Sequence, residues 1–217
     1  MSAGALPDFD PRRGGGRANT QTRNSIPRDR SVALYAYVAI VAAAALLAVG
    51  PAVLAVPDLE GITPAFWVIA GLGVVVDLRS FATVGPRRSA IVYPSIAFTF
   101  ALLLGWGLGP AVVVQSAAVV VSSIRLRHAP WRAVFNISQY ALSFAAAELV
   151  LSLTGAPRLA GPSVPGTEGD AGLTVLSYLA AGCAWLVTNE LLVLTAVWLR
   201  FRGSLRGTLM RTLRPAR

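Results

Sequence analysis

The chain has 217 residues, of which 55% are hydrophobic and 13% charged, a composition that excludes an ordinary soluble domain. All 19 basic residues are Arg, so chemistry that requires a lysine, such as a Walker-type phosphate loop or a Schiff base, is excluded as well. The net charge of +9 lies mostly at the ends of apolar runs. This placement favours orientation in a membrane over nucleic-acid binding.

Cysteine and histidine usage limits metal and redox chemistry. Cys183 is the only cysteine and His128 the only histidine, which excludes a disulfide within the chain and the usual zinc sites. We expect no cofactor and no metal. His128 follows Arg127 in a short basic loop and is predicted to be solvated, and Cys183 lies between small residues and is predicted to be a packing residue.

Apolar runs in chain order predict an all-α, polytopic membrane bundle. Residues 1–30, rich in Arg, Gly, Asn and Pro, are predicted to form a disordered cytoplasmic tail. Residues 31–200 form the membrane domain, because a helix needs about 20 mostly apolar residues to cross a bilayer core of about 30 Å. About six transmembrane helices are predicted, over residues 32–56, 64–76, 90–108, 111–124, 133–154 and 173–199. The second run is marginal for spanning.

Two shorter features complete the pattern. Gly105, Gly107 and Gly109 resemble a nucleotide-binding fingerprint, but no strand precedes them, so they predict a tight turn between antiparallel helices three and four. Residues 201–217 are predicted to be a basic juxtamembrane cytoplasmic tail. The spacing of Leu205, Leu209 and Leu213 would also suit a helix lying on an anionic membrane surface, although Pro215 limits its length.

The distribution of arginine predicts the orientation. With the N-terminus in the cytoplasm and six spans, 18 of the 19 Arg residues fall on the cytoplasmic side and only Arg158 falls outside. An even number of spans is required, because without the second span Arg87 and Arg88 would lie outside. We therefore expect a multi-pass protein of the cell membrane with both termini in the cytoplasm.

Polar residues within the apolar runs are the candidates for a site. Two carboxylates lie deep in helices five and six, where a charge is costly, and we expect them to lie at different depths and not to form a dyad. The candidates for an intramembrane polar, ligand or packing site are Asn136, Gln139, Ser143, Glu148, Asn189 and Glu190. A polar cavity for a ligand and hydrogen bonding between helices both remain open interpretations.

The segment from Phe66 to Thr154 resembles a known kind of membrane module. The residues that carry the resemblance are Phe66-Trp67, Asp77-Leu78-Arg79, the run from Ser95 to Trp106, Gln115, and the run from Trp131 to Tyr140. They are similar to the N-terminal multi-helix sensory module of actinobacterial cyclic-di-GMP signalling proteins, in which such helices precede GGDEF, EAL or HD-type catalytic domains. An actinobacterial source also agrees with the absence of lysine, which is typical of GC-rich coding sequences.

The resemblance implies sensing or membrane anchoring, without catalysis by this chain. No GGDEF, EAL or HD signature occurs before Arg217, so we expect either a truncated or split member or a module that pairs with a separate partner. The expected partners are the lipid bilayer and either a separate cytoplasmic signalling domain or a second copy of the chain, and no nucleic acid.

Two other functions compete with signalling. The substrate-binding membrane subunit of an energy-coupling-factor transporter has a similar length and helix count, and a closed polar pocket around Glu148 would favour it. An intramembrane enzyme is disfavoured, because the only histidine lies in a loop and no aspartate pair lies in an apolar run.

Overall fold

The computed structural model describes residues 28–55, 63–78, 95–159 and 171–201. Within these ranges all regular secondary structure is helical, which confirms the all-α prediction. The helices, in chain order, are α1 (Arg28–Leu54), α2 (Pro64–Leu78), α3 (Ser95–Trp106), α4 (Leu108–Arg125), α5 (Pro130–Thr154) and α6 (Ala171–Phe201). The predicted tails and the connections over residues 56–62, 79–94 and 160–170 lie outside the described residues.

Length divides the helices into two groups. Helices α1, α4, α5 and α6 are long and apolar enough to cross a membrane. The described part of α2 has 15 residues and that of α3 has 12, which correspond to only about 22 Å and about 18 Å. The structure therefore supports four membrane-crossing helices by length, where the sequence predicted about six.

Helix ends follow the local sequence closely. Pro130 occupies the first turn of α5, where its missing N–H removes no helical hydrogen bond. Gly155 ends α5 in the left-handed conformation (φ 65°), and the N–H of Ala156 donates to the carbonyl of Leu151 at 3.1 Å. This arrangement is a Schellman-type cap that satisfies carbonyls at the helix end.

Helices α3 and α4 form the predicted antiparallel hairpin. Gly107 alone separates them and has φ 93°, a conformation that other residues adopt only with strain. Thr99 and Gln115, which are equally distant from Gly107 in sequence, meet across the hairpin at 2.7 Å. The hairpin end of the bundle is defined here by Gly107 and by Arg158 in the loop after α5.

Helix α5 is the centre of the bundle and packs against α1, α3, α4 and α6, while α2 packs against the hairpin. Phe144 is fully buried on α5, and Leu102 and Leu103 are fully buried on α3. Tyr140 stacks on Trp185 of α6 with ring centroids 6.2 Å apart. In a bilayer such contacts stabilise the bundle through close packing, since lipid tails are as apolar as the helix surfaces.

The helices alternate in direction, so basic residues gather at one end. The T-shaped contact of Tyr35 with Trp131 places the first residues of α1 beside those of α5, and Tyr37 donates a hydrogen bond to the carbonyl of Leu192 on α6 at 3.0 Å. The basic end of the bundle, opposite the hairpin end, carries Arg125, Arg127, His128, Arg132 and Arg200.

Candidate functional site

Glu148 lies at the hairpin end and is paired with an arginine. Arg158 donates from Nη2 to Oε1 of Glu148 in a short ion pair, with the two side chains 34% and 20% exposed. Nη1 of Arg158 donates to the carbonyl of Leu103 at 2.9 Å, and the N–H of Leu159 donates to the carbonyl of Leu104 at 3.0 Å. The loop after α5 thus caps the C-terminus of α3 and neutralises the carboxylate.

This pairing bears on the transporter alternative. The observation expected to favour it is a closed polar pocket around Glu148, but Oε1 of that carboxylate is occupied by Arg158. Oε2 of Glu148 is buried without a hydrogen-bond partner among the described residues. Neither of the cavities described below includes Glu148.

The other candidates on α5 lie nearer the basic end. Ser143 is fully buried, and its hydroxyl donates to the backbone carbonyl of Gln139 at 2.8 Å. The side chain of Gln139 is buried, and its Oε1 atom has no partner among the described residues. Asn136 is half-buried and faces a cavity at the basic end.

The candidates on α6 are placed differently from those on α5. Asn189 is half-buried, with an Oδ1 atom that is enclosed but unpartnered within the described part of the chain. Glu190 is exposed on the surface of the bundle. The structure therefore does not bring the six candidates into one site, and it separates Glu148 from Glu190.

A buried polar cluster in the hairpin involves residues that were not among the candidates. Gln115 is only 1% exposed and accepts the hydroxyl of Thr99 through Oε1 at 2.7 Å, while its Nε2 donates to Oγ of Ser95 at 3.3 Å. Each of the three side chains forms a hydrogen bond with another of the three or with the backbone of its own helix. The cluster therefore holds α3 and α4 together. The feature of the sequence that could have predicted this cluster is the equal spacing of Thr99 and Gln115 from Gly107.

An apolar groove of about 520 Å³ lies between α1, α4 and α5. Ser116 and Ser138 are the only polar side chains among its described lining residues. Ser138 donates its hydroxyl to the carbonyl of Val134 in its own helix at 2.8 Å. The groove can therefore accommodate lipid chains.

A second cavity, of about 340 Å³, lies at the basic end between α1, α5 and α6 and is called the basic cavity here. Sequence reasoning missed it, because it depends on how closely three helices approach one another. Its polar lining comes from four side chains and its apolar lining from six. The lining residues are His128, Arg132, Asn136, Arg200, Leu34, Trp131, Phe135, Val193, Ala196 and Val197.

Side chains able to bind a metal ion are spread over the described ranges. No three His, Cys, Asp or Glu side chains there lie close enough together to hold a metal ion. Cys183 is exposed on α6 and does not line the basic cavity that contains His128.

Comparisons of the chain with family models, with curated proteins and with solved structures found no match.

Proposed function

We propose that this chain is a sensory and anchoring membrane module of a signalling protein, related to cyclic-di-GMP systems and not catalytic by itself. The single observation that carries the proposal is the geometry of α6. This helix has 31 residues, about 46 Å, which exceeds a bilayer core of about 30 Å. It packs along the central helix α5 and ends at the basic end.

A helix of this kind can carry a movement across the membrane. Ala181 and Trp185 are buried against the bundle, whereas most of the outward residues of α6 are exposed. The described hydrogen bonds that link α6 to other parts of the bundle are those of Tyr37 with the carbonyl of Leu192 and of Tyr178 with the carbonyl of Pro157, so a shift of α6 would break few of them. A displacement of α6 near the hairpin end would then also move the other end of this helix, where Arg200 lies.

The proposed topology has six membrane passages, in the cell membrane, with both termini in the cytoplasm. The alternating directions of α1 to α6 support an even number of passages, and the gathering of Arg at one end supports a cytoplasmic basic end. A passage shorter than the bilayer core, such as α2 or α3, is accommodated by local thinning of the bilayer.

Several of the described residues that carry the sequence resemblance have structural roles in the bundle. Phe66 contacts Trp67 and Trp106 in T-shaped geometry, with ring centroids 5.2 and 5.5 Å apart. Gln115 joins the two helices of the hairpin. In this bundle these residues pack helices together, which supports the proposal of a membrane module but identifies no ligand.

The partners in this proposal are the lipid bilayer and either a separate cytoplasmic signalling domain or a second copy of the chain. The test begins with deletion of the gene, followed by measurement of cellular cyclic-di-GMP by mass spectrometry. We expect the deletion to change the level of this nucleotide and the native gene to restore it. An unchanged level would contradict the signalling role.

Insertions at the end of α6 test whether this helix carries the signal. Two alanines added after Phe201 rotate whatever follows by about 200°, whereas seven alanines rotate it by about 700°, close to two full turns. We expect the two-residue insertion to fail to restore the nucleotide level and the seven-residue insertion to succeed. Equal restoration by both would show that α6 serves only as an anchor.

A further inference from the structure

The basic cavity combines positive charge with an apolar floor. Its rim carries Arg132, Arg200 and His128, and its floor includes Leu34 and Phe135. None of its described lining residues is acidic.

The start of α5 directs backbone N–H groups toward the cavity, and the C-terminal turn of α6, which carries Arg200, ends beside it. Ala129 is the residue that precedes the helix, and no side chain caps the first turn. Pro130 and Ala129 cannot supply the side-chain oxygen that usually accepts the free N–H groups there. The positive end of the helix dipole is therefore directed toward the rim that carries His128 and Arg132.

Aromatic residues place the cavity at the level of lipid headgroups. Trp131 contacts Tyr35 with ring centroids 6.1 Å apart, and the guanidinium carbon of Arg132 lies 5.4 Å from the centre of the Trp131 ring. Trp and Tyr are enriched at the membrane–water interface. The cation–π contact also orders Arg132 beside the cavity.

We infer that the basic cavity binds the phosphate group of an anionic phospholipid. Arg132 and Arg200 contact the phosphate, Asn136 contributes an amide, and the apolar floor accommodates the first carbons below the headgroup. The volume of about 340 Å³ is sufficient for a headgroup and its glycerol but not for a whole lipid. A free phosphate would use the same rim but would leave the apolar floor unfilled.

This site connects α1, α5 and α6, since each contributes lining residues. The bound phosphate would therefore stabilise the position of α6 relative to α5 and make that position depend on the anionic lipid content of the membrane. The inference depends on the bundle lying in a bilayer but not on a signalling role.

Lipid binding by the full chain in nanodiscs tests the inference. Native mass spectrometry measures the affinity for the first bound phosphatidylglycerol and for phosphatidylcholine with the same acyl chains. We expect the native chain to prefer phosphatidylglycerol, and the double variant R132Q/R200Q to lose about thirtyfold of that affinity, because two charge-assisted contacts are removed. The affinity for phosphatidylcholine should not change.

The matched control is R125Q/R127Q, which removes two exposed arginines from the same end but none from the cavity. We expect a loss of less than about fivefold, from general attraction alone. The variant R132K/R200K keeps the charge but loses the planar guanidinium groups, so we expect its loss of affinity to lie between those of the two glutamine doubles. An equal loss of affinity for phosphatidylglycerol in R132Q/R200Q and R125Q/R127Q would overturn the inference. Displacement of the lipid by millimolar inorganic phosphate would also overturn it, because the cavity would then bind a soluble anion.

Discussion

At the hairpin end of the bundle an arginine is held by a carboxylate and a helix carbonyl of the same chain, whereas at the basic end Arg132 borders a cavity with no acidic side chain among its described lining residues. Arg158 contacts Glu148 and the carbonyl of Leu103. Arg132 contacts the ring of Trp131 and borders the basic cavity. One arginine, Arg158, thus caps a helix at the hairpin end, whereas another, Arg132, borders an open cavity at the basic end.

The difference shows how local partners decide what a charge does in a membrane protein. A charge that is satisfied within the chain stabilises the fold, and its removal leaves other groups unpaired. A charge that faces an open cavity contributes little to the fold and is available for a ligand. Substitutions at the two ends of the bundle separate these two roles.

The largest effect is expected for Arg158→Gln. The substitution leaves the half-buried carboxylate of Glu148 without its cation and removes the donor to the carbonyl of Leu103. We expect a loss of about 2 kcal/mol in the free energy of unfolding, less than for a fully buried pair because both groups retain some exposure. Unfolding by sodium dodecyl sulfate in mixed micelles measures it.

The variant Glu148→Gln is the control for this pair. Its amide oxygen can still accept from Arg158, so the loss should be smaller than for Arg158→Gln. The double variant should then lose less than the sum of the two single losses. Additive losses would show that the two side chains do not stabilise each other.

The turn at the hairpin end provides the next prediction. Gly107 has φ 93°, so Gly107→Ala forces a side chain into a strained backbone conformation, and we expect a loss of about 1–2 kcal/mol. Gly71 lies inside α2, and an added methyl group there would meet no atom within 4 Å. Gly71→Ala should therefore be neutral or stabilising. A similar loss in both variants, measured by the same unfolding assay, would contradict the role of the turn.

The helices themselves were largely predictable from the sequence, for a simple physical reason. Long apolar runs between arginines identify spans, and the predicted runs at residues 111–124, 133–154 and 173–199 differ by only a few residues from α4, α5 and α6. Helix α3 begins at Ser95 in the described residues, whereas the prediction began at residue 90. The hairpin was predictable because three closely spaced glycines and Pro110 permit a tight turn.

Contacts between helices were much less predictable. The pairing of Glu148 with Arg158 requires a loop to fold back onto the helix that precedes it, and periodicity carries no such information. A signal did exist, since Arg158 is the one arginine expected outside and it follows an intramembrane carboxylate by ten residues. The basic cavity had no comparable signal, because its lining comes from segments far apart in sequence.

The buried amide of the hairpin gives a smaller effect than the turn. Gln115→Leu replaces a side chain of similar size and removes the bonds to Thr99 and Ser95, while Thr99 keeps its bond to the carbonyl of Ser95 at 3.1 Å. Hydrogen bonds between membrane helices contribute about 0.6 kcal/mol on average, so we expect a loss of about 0.5–1 kcal/mol. Gln115→Ala should lose more, because it also leaves a cavity. Equal losses for Leu and Ala would show that shape contributes nothing there.

The smallest effect is expected for Arg132→Gln, and its contrast with Arg158→Gln is the most direct test of the comparison. Both variants replace Arg with Gln in this bundle, but Arg132 is exposed and its described contact is with Trp131. Loss of that contact costs about 0.5–1 kcal/mol at an exposed site, and the release from repulsion by nearby arginines offsets part of it. We expect the free energy of unfolding to change by less than about 0.5 kcal/mol in neutral lipid. A loss as large as that of Arg158→Gln would mean that Arg132 also holds the fold together, and the distinction between a structural and an open end would then fail.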